Sequence, residues 1–109
     1  MILLLHLNIT IRRGIMYGSI FNLNVKPGHQ QDLLDSLTDG TPPGAVAWYV
    51  MQPDDTSKDL IGVAIFESKE AYQANAESPQ QHERFMKAMT YLEEEPQWTD
   101  GKYIVTQVV

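Results

Sequence analysis

The chain has 109 residues, 43% of them apolar and 20% charged, with a formal net charge of −6 at pH 7. That length supports one domain with a modest core, and an acidic chain with only eight Lys and Arg argues against nucleic-acid or anionic-membrane partners. There is no cysteine, which excludes disulfides, thiolate metal sites, iron–sulfur clusters and cysteine nucleophiles and fits a reducing cytoplasm.

The opening "MILLLHLNITIRRGI" has an apolar start too short to span a bilayer. It lacks a basic leader and a small-residue cleavage site, so it reads poorly as a signal peptide. Leu5, Leu7, Ile9 and Ile11 alternate with His6, Asn8 and Thr10, the period of a strand. Asn8-Ile9-Thr10 has the form of a glycosylation sequon, which has no meaning without secretion. Met16 is a second candidate start, because Arg12-Arg13-Gly14 can be encoded by purine-rich codons like those of a bacterial ribosome-binding site. Residues 1–15 are therefore read as an N-terminal extension or non-native start, and residues 16–109 as the domain.

From Tyr17 the punctuation is clear. "YGSIFNLNVK" alternates as a strand and stops at Pro27-Gly28, a turn and helix-entry signal. "HQQDLLDSL" places Leu33, Leu34 and Leu37 on one helical face, and "DGTPPG" ends it. "AVAWYVMQ" and "LIGVAIFE" are strands joined by the polar hairpin "PDDTSKD". "SKEAYQANAE" is a helix broken at Ser78-Pro79. Ser78 then caps the next helix, with Pro79 at its first position and Gln81 completing a capping box. Phe85, Met86, Met89 and Leu92 form that helix's apolar stripe. Glu93 to Glu95 read as its solvated end before Pro96, acidic residues being unfavourable at that pole. "KYIVTQVV" reads as the last strand.

The order β-α-β-β-α-β predicts an α+β, ferredoxin-like sandwich with a four-stranded antiparallel sheet. Helices can cover one sheet face, yet the strands are apolar on both parities. The uncovered face is an expected interface, closed most simply by a twofold homodimer.

With that order in place, "FESKEAYQANAESPQQHERFMKAM" after the third strand resembles the antibiotic biosynthesis monooxygenase family of dimeric α+β barrels. The resemblance covers residues 16 to 109. It is carried by the first strand running into Pro27-Gly28, the "FES" strand end, Ala71-Tyr72 on the next helix, and the Ser-Pro break before His82. It implies a homodimer that uses dioxygen without a bound metal, flavin or other cofactor, the substrate supplying the electrons. One branch oxidises anthrone- or quinol-type aromatics, and another degrades heme. Against the heme-degrading branch, Asn75 stands at the position of its Trp, Phe85 at that of its His, and Asn22 lies one residue from that of its Asn. Against the aromatic-oxidising branch, Tyr72 matches, Phe66 replaces a Trp, Gly62 stands where Asn would, and Arg84 is near the Arg position. The resemblance therefore favours a hydrophobic, hydroxylated aromatic substrate over heme.

His82 shares the apolar face of its helix with Phe85 and Met86. A neutral imidazole there suits base work near neutrality; the plainer alternative is a histidine packing near a helix N-terminus. Tyr72 could orient a hydroxylated aromatic or be a core tyrosine. His82 and Tyr72 are the candidate catalytic pair. Asn22, Asn24, Trp48, Phe66, Arg84 and Phe85 are candidate substrate contacts, with Asn22 and Arg84 the polar groups for a developing oxyanion. Trp48 and Tyr49 should point to opposite sheet faces. Asp54, Asp55 and Asp59 read as a solvated hairpin rather than a metal site, and His6 and His29 form no ligand set with them. A noncatalytic dimeric protein on the same scaffold, binding a small ligand or associated with stress, is the alternative function, since fold alone does not confer activity.

Overall fold

A computed structural model describes residues 15–109. The strand read over residues 5 to 11, the sequon and the extension before Ile15 lie outside the described residues. Seven elements follow one another: β1 (Tyr17–Leu23), α1 (Gln30–Leu37), β2 (Ala45–Met51), β3 (Leu60–Phe66), α2 (Lys69–Ala76), α3 (Pro79–Met89) and β4 (Trp98–Lys102). The strands form one antiparallel sheet in the order β2-β3-β1-β4. This is the expected α+β ferredoxin-like sandwich.

Strand pairing sorts side chains into rows across the sheet. Trp48 lies opposite Ala64, Ala64 opposite Ser19, and Ser19 opposite Asp100. The next row on the same face runs Val50, Gly62, Phe21 and Trp98. Gly62 is needed where it stands, since a Cβ there would enter the Phe21 ring. The helices cover this face at one end only. There Leu23, Leu33, Leu60, Ala88 and Leu92 form the buried core, with Leu33 fully buried. At the other end, small residues in the middle of the rows leave space between sheet and helices.

A bulge between Ala45 and Ala47 shifts the start of β2, and beyond it Trp48 faces the helices and Tyr49 the opposite side. On that opposite face Tyr49 is 63% exposed, Met51 54% and Ile20 47%, so the apolar surface expected to be uncovered is not covered by the described residues.

The helix starts follow the expected chemistry. Pro27-Gly28 turns the chain with Gly28 at φ +79°, a conformation open to glycine. Ser68 Oγ accepts from the Ala71 amide at 3.0 Å, and Ser78 Oγ accepts from the Gln81 amide at 3.1 Å. The reciprocal half of the capping box is not made. The Ser78 amide donates instead to the Asn75 carbonyl at 3.0 Å, and Gln81 turns toward the space beneath α3. Ser78→Ala should cost about 1 kcal/mol in denaturant unfolding, with Ser78→Asp close to the parent.

Two boundaries differ from the sequence reading. α3 ends at Met89, not at the Glu93–Glu95 run. Tyr91 and Leu92 amides bond three residues back, and the Glu93 amide donates to the Asn24 carbonyl at 2.8 Å. Leu92 thereby leaves the helix to pair with Val25 and enter the core. The last strand is Trp98–Lys102 rather than residues 102–109. Lys102 ends the pairing with β1, and among the described residues no strand lies beside the β-branched residues after it. Ile104, Val105, Val108 and Val109 are each at least 78% exposed.

Candidate functional site

The space left at the open end of the inner face is a cleft of about 470 Å³, within the range of small-molecule sites. Its floor is the row Trp48, Ala64, Ser19 and Asp100, with Phe21 and Trp98 beside it; α2 and α3 form the roof. The lining is mostly apolar and aromatic. The Trp98 ring lies 4.6 Å from Phe21 and 6.3 Å from Phe85, centroid to centroid.

Tyr72 is the best-anchored polar group in the cleft. Its ring packs on Tyr17 at 5.3 Å and edge-on to Phe66 at 5.5 Å. Its hydroxyl donates to Asp100 Oδ1 at 2.9 Å. Burial, followed by the bond to the Asp100 carboxylate, pushes its pKa up to about 12, against an opposing hydrogen bond from Ser19. Tyr72 is thus a neutral phenol at ordinary pH. Its folded pKa exceeds the unfolded value of 10.0, so the folded state holds the proton longer, and its contribution to stability is present below pH 10 and lost as pH rises toward about 12. Ultraviolet titration of the phenols should show a late component near pH 12 that disappears in Tyr72→Phe.

Of the candidate residues read from the sequence, the fold brings His82, Tyr72, Trp48, Phe66, Arg84 and Phe85 to this cleft. His82 stands exposed on the first turns of α3, and its imidazole makes no hydrogen bond among the described residues. Arg84 lies over the α1–β2 loop, its guanidinium against Gly40. Phe66 is buried at 5% exposure and supports Tyr72 from below.

Asn22 and Asn24 are not in the cleft. Asn22 lies opposite Ile61, on the other sheet face. Its amide donates to Asp59 Oδ2 at 2.8 Å, and its carbonyl accepts from the Gln97 amide at 2.6 Å. It therefore ties the β2–β3 hairpin to the segment entering β4. Asn24 reaches Glu94 at 3.5 Å. Both amides are engaged in holding the chain's return to the sheet edge. In the hairpin, Asp55 accepts from the Ser57 hydroxyl and amide, which hold its carboxyl below the usual range. Among the described residues, no three His, Cys, Asp or Glu side chains are grouped to hold a metal ion.

The sequence reading missed Trp98, Asp100, Ser19 and Phe21. One signal was available: Trp98 and Asp100 alternate with Thr99 and Gly101, the period of a strand.

No family model matches the sequence, and no curated protein does. Solved structures do. The chain has the fold of a "putative antibiotic biosynthesis monooxygenase" from Caulobacter crescentus, with a TM-score of 0.72 at 12% identity over 92% of this chain and 98% of that one. A protein of the same description from Chloroflexus aurantiacus superposes with a TM-score of 0.63 at 20% identity, over 77% of this chain and 90% of that one. A dimeric ferredoxin-like protein of unknown function from Jannaschia gives 0.66 at 15% identity, over 83% and 100%. The shared property is the fold. No helix among the described residues is long and apolar enough to cross a membrane.

Proposed function

We propose that the chain is a cofactor-independent monooxygenase of a small hydrophobic or aromatic hydroxylated substrate, of quinol or anthrone type, working as a cytoplasmic homodimer. The observation that carries this reading is the aromatic cleft with one phenol fixed inside it. Trp48, Phe21, Phe85 and Trp98 offer stacking surfaces for a flat apolar ring system, and Tyr72 supplies a fixed polar contact for its hydroxyl. His82 is the candidate base at the cleft and Arg84 the cation for a developing oxyanion. Loss of a proton makes the substrate an electron-rich anion that can reduce dioxygen. For an anthrone-type methylene the balance closes with one dioxygen: one oxygen atom becomes the new carbonyl and the other leaves as water. The likeness in fold to proteins described as monooxygenases supports the same reading, as the dimeric Jannaschia protein supports a dimer.

One observation favours the alternative, a noncatalytic dimeric ligand-binding protein: the imidazole of His82 has no partner among the described residues to orient it as a base. Oxygen uptake with a panel of quinols and anthrones separates the two. Uptake at one oxygen per substrate supports the enzyme; a panel that binds without uptake supports the binding protein.

A further inference from the structure

The polar end of the cleft has a direction. A tyrosine hydroxyl has one proton and two lone pairs, and the proton of Tyr72 is committed to Asp100 Oδ1 at 2.9 Å. The hydroxyl of Ser19, a residue only 1% exposed, donates to the Thr99 carbonyl at 3.3 Å or to Tyr72 itself. Neither arrangement leaves a donor for a ligand. What these three side chains together offer a ligand is therefore acceptors only: the remaining lone pair of Tyr72 and the oxygens of Asp100. Three elements hold the arrangement, since Tyr72 comes from α2, Asp100 from β4 and Ser19 from β1. It is not a by-product of one loop's geometry.

We propose that the Tyr72–Asp100 pair makes this end of the cleft a receptor for a neutral aromatic hydroxyl, selecting the protonated phenol over its phenolate and over aromatic carboxylates. The inference deepens the proposed function and rests on reading the cleft as the site for a hydroxylated aromatic. An incoming O–H can donate to Tyr72 Oη, whereas a phenolate would face a carboxylate and a hydroxyl whose proton is already spent. Asp100 is in this account a positioning residue, acting on the ligand through the direction it imposes on Tyr72.

Other charges face the same region and are common to the parent and both variants compared at the same pH. His82 and Arg84 reach the cleft from α3, and Arg84 pulls toward the anion. The Lys69 ammonium sits 5.7 Å over the Tyr17 ring that packs on Tyr72, and Lys102 lies opposite Tyr17 on β4.

The experiment is anaerobic titration of the intact chain with 4-nitrophenol, whose neutral and ionised forms absorb at different wavelengths, across a pH range spanning its ionisation. The expected result is that the neutral form binds about tenfold more tightly than the phenolate, the worth of one hydrogen bond. Asp100→Ala removes the acceptor that holds the Tyr72 proton, which can then point at the ligand, and the preference should vanish or reverse. Tyr72→Phe, which keeps the ring packing, should leave the sign of the preference in place, since the Asp100 carboxylate is still there to accept. A parent protein that prefers the phenolate, a preference unchanged in Asp100→Ala, or no binding of either form overturns the inference. No oxygen chemistry is involved, so a chain that selects the neutral phenol but never consumes oxygen overturns the enzyme reading and leaves this one standing.

Discussion

Tyr72→Phe should lower oxygen uptake on a quinol or anthrone substrate by about 10²-fold or more, most of it in kcat. The substitution removes one oxygen atom and little else. The ring keeps its contacts with Tyr17 and Phe66, and Asp100 sits on an exposed edge strand where water replaces the lost bond. Stability should therefore move by only about 1 kcal/mol, and a larger loss of activity reports on the reaction. His82→Ala provides the contrast. If the imidazole is the base, its loss costs a similar factor in kcat; if only Tyr72 matters, uptake survives. Uptake unchanged by both substitutions would remove both residues from the reaction. A rise in KM alone for Tyr72→Phe would reduce the tyrosine to a binding contact.

Most elements were legible because local chemistry announces them. Ser68 and Ser78 cap helices where their spacing says they should, Pro27-Gly28 turns the chain, and β3 is apolar from end to end. β4 was not legible, for a physical reason. An exposed edge strand needs no run of β-branched residues, and "WTDGK" has none, while "IVTQVV" has the propensity but no strand to pair with among the described residues. The parity of Asn22 and Asn24 could be read, but not which face that parity would meet, since this depends on where the helices pack. Tyr72 could be named from a resemblance. Asp100 could not, because it becomes interesting only when β1 and β4 pair and set it opposite Ser19, under a helix from the middle of the chain. The apolar walls of the site follow from periodicity; its polar end follows from topology.

The largest effect outside the cleft is expected from Ile20→Lys, which should convert a dimer into monomers at micromolar concentration by light scattering. Ile20 sits on the outer face, opposite Val63, which in turn lies opposite Tyr49. The row is apolar and left open by the described residues, with Ile20 47% and Tyr49 63% exposed. Beyond it, Tyr103 crosses Gly18 and donates to the Ala64 carbonyl at 3.1 Å, and the apolar Ile104 and Val105 follow. A twofold pairing of this face would bury on the order of 800 Å² from each copy, the size of a stable interface. An ammonium in its middle would be desolvated without a partner, and the symmetry would bring in two. Such a charge costs about 3 kcal/mol or more, a factor of more than about 10² in Kd. Within one chain the same lysine stays in water, so the monomer's unfolding should change by only about 0.5 kcal/mol. That difference separates a broken interface from a broken fold. A parent chain already monomeric at that concentration, or a lysine variant that remains dimeric, would place the interface elsewhere and leave the apolar outer face without an occupant.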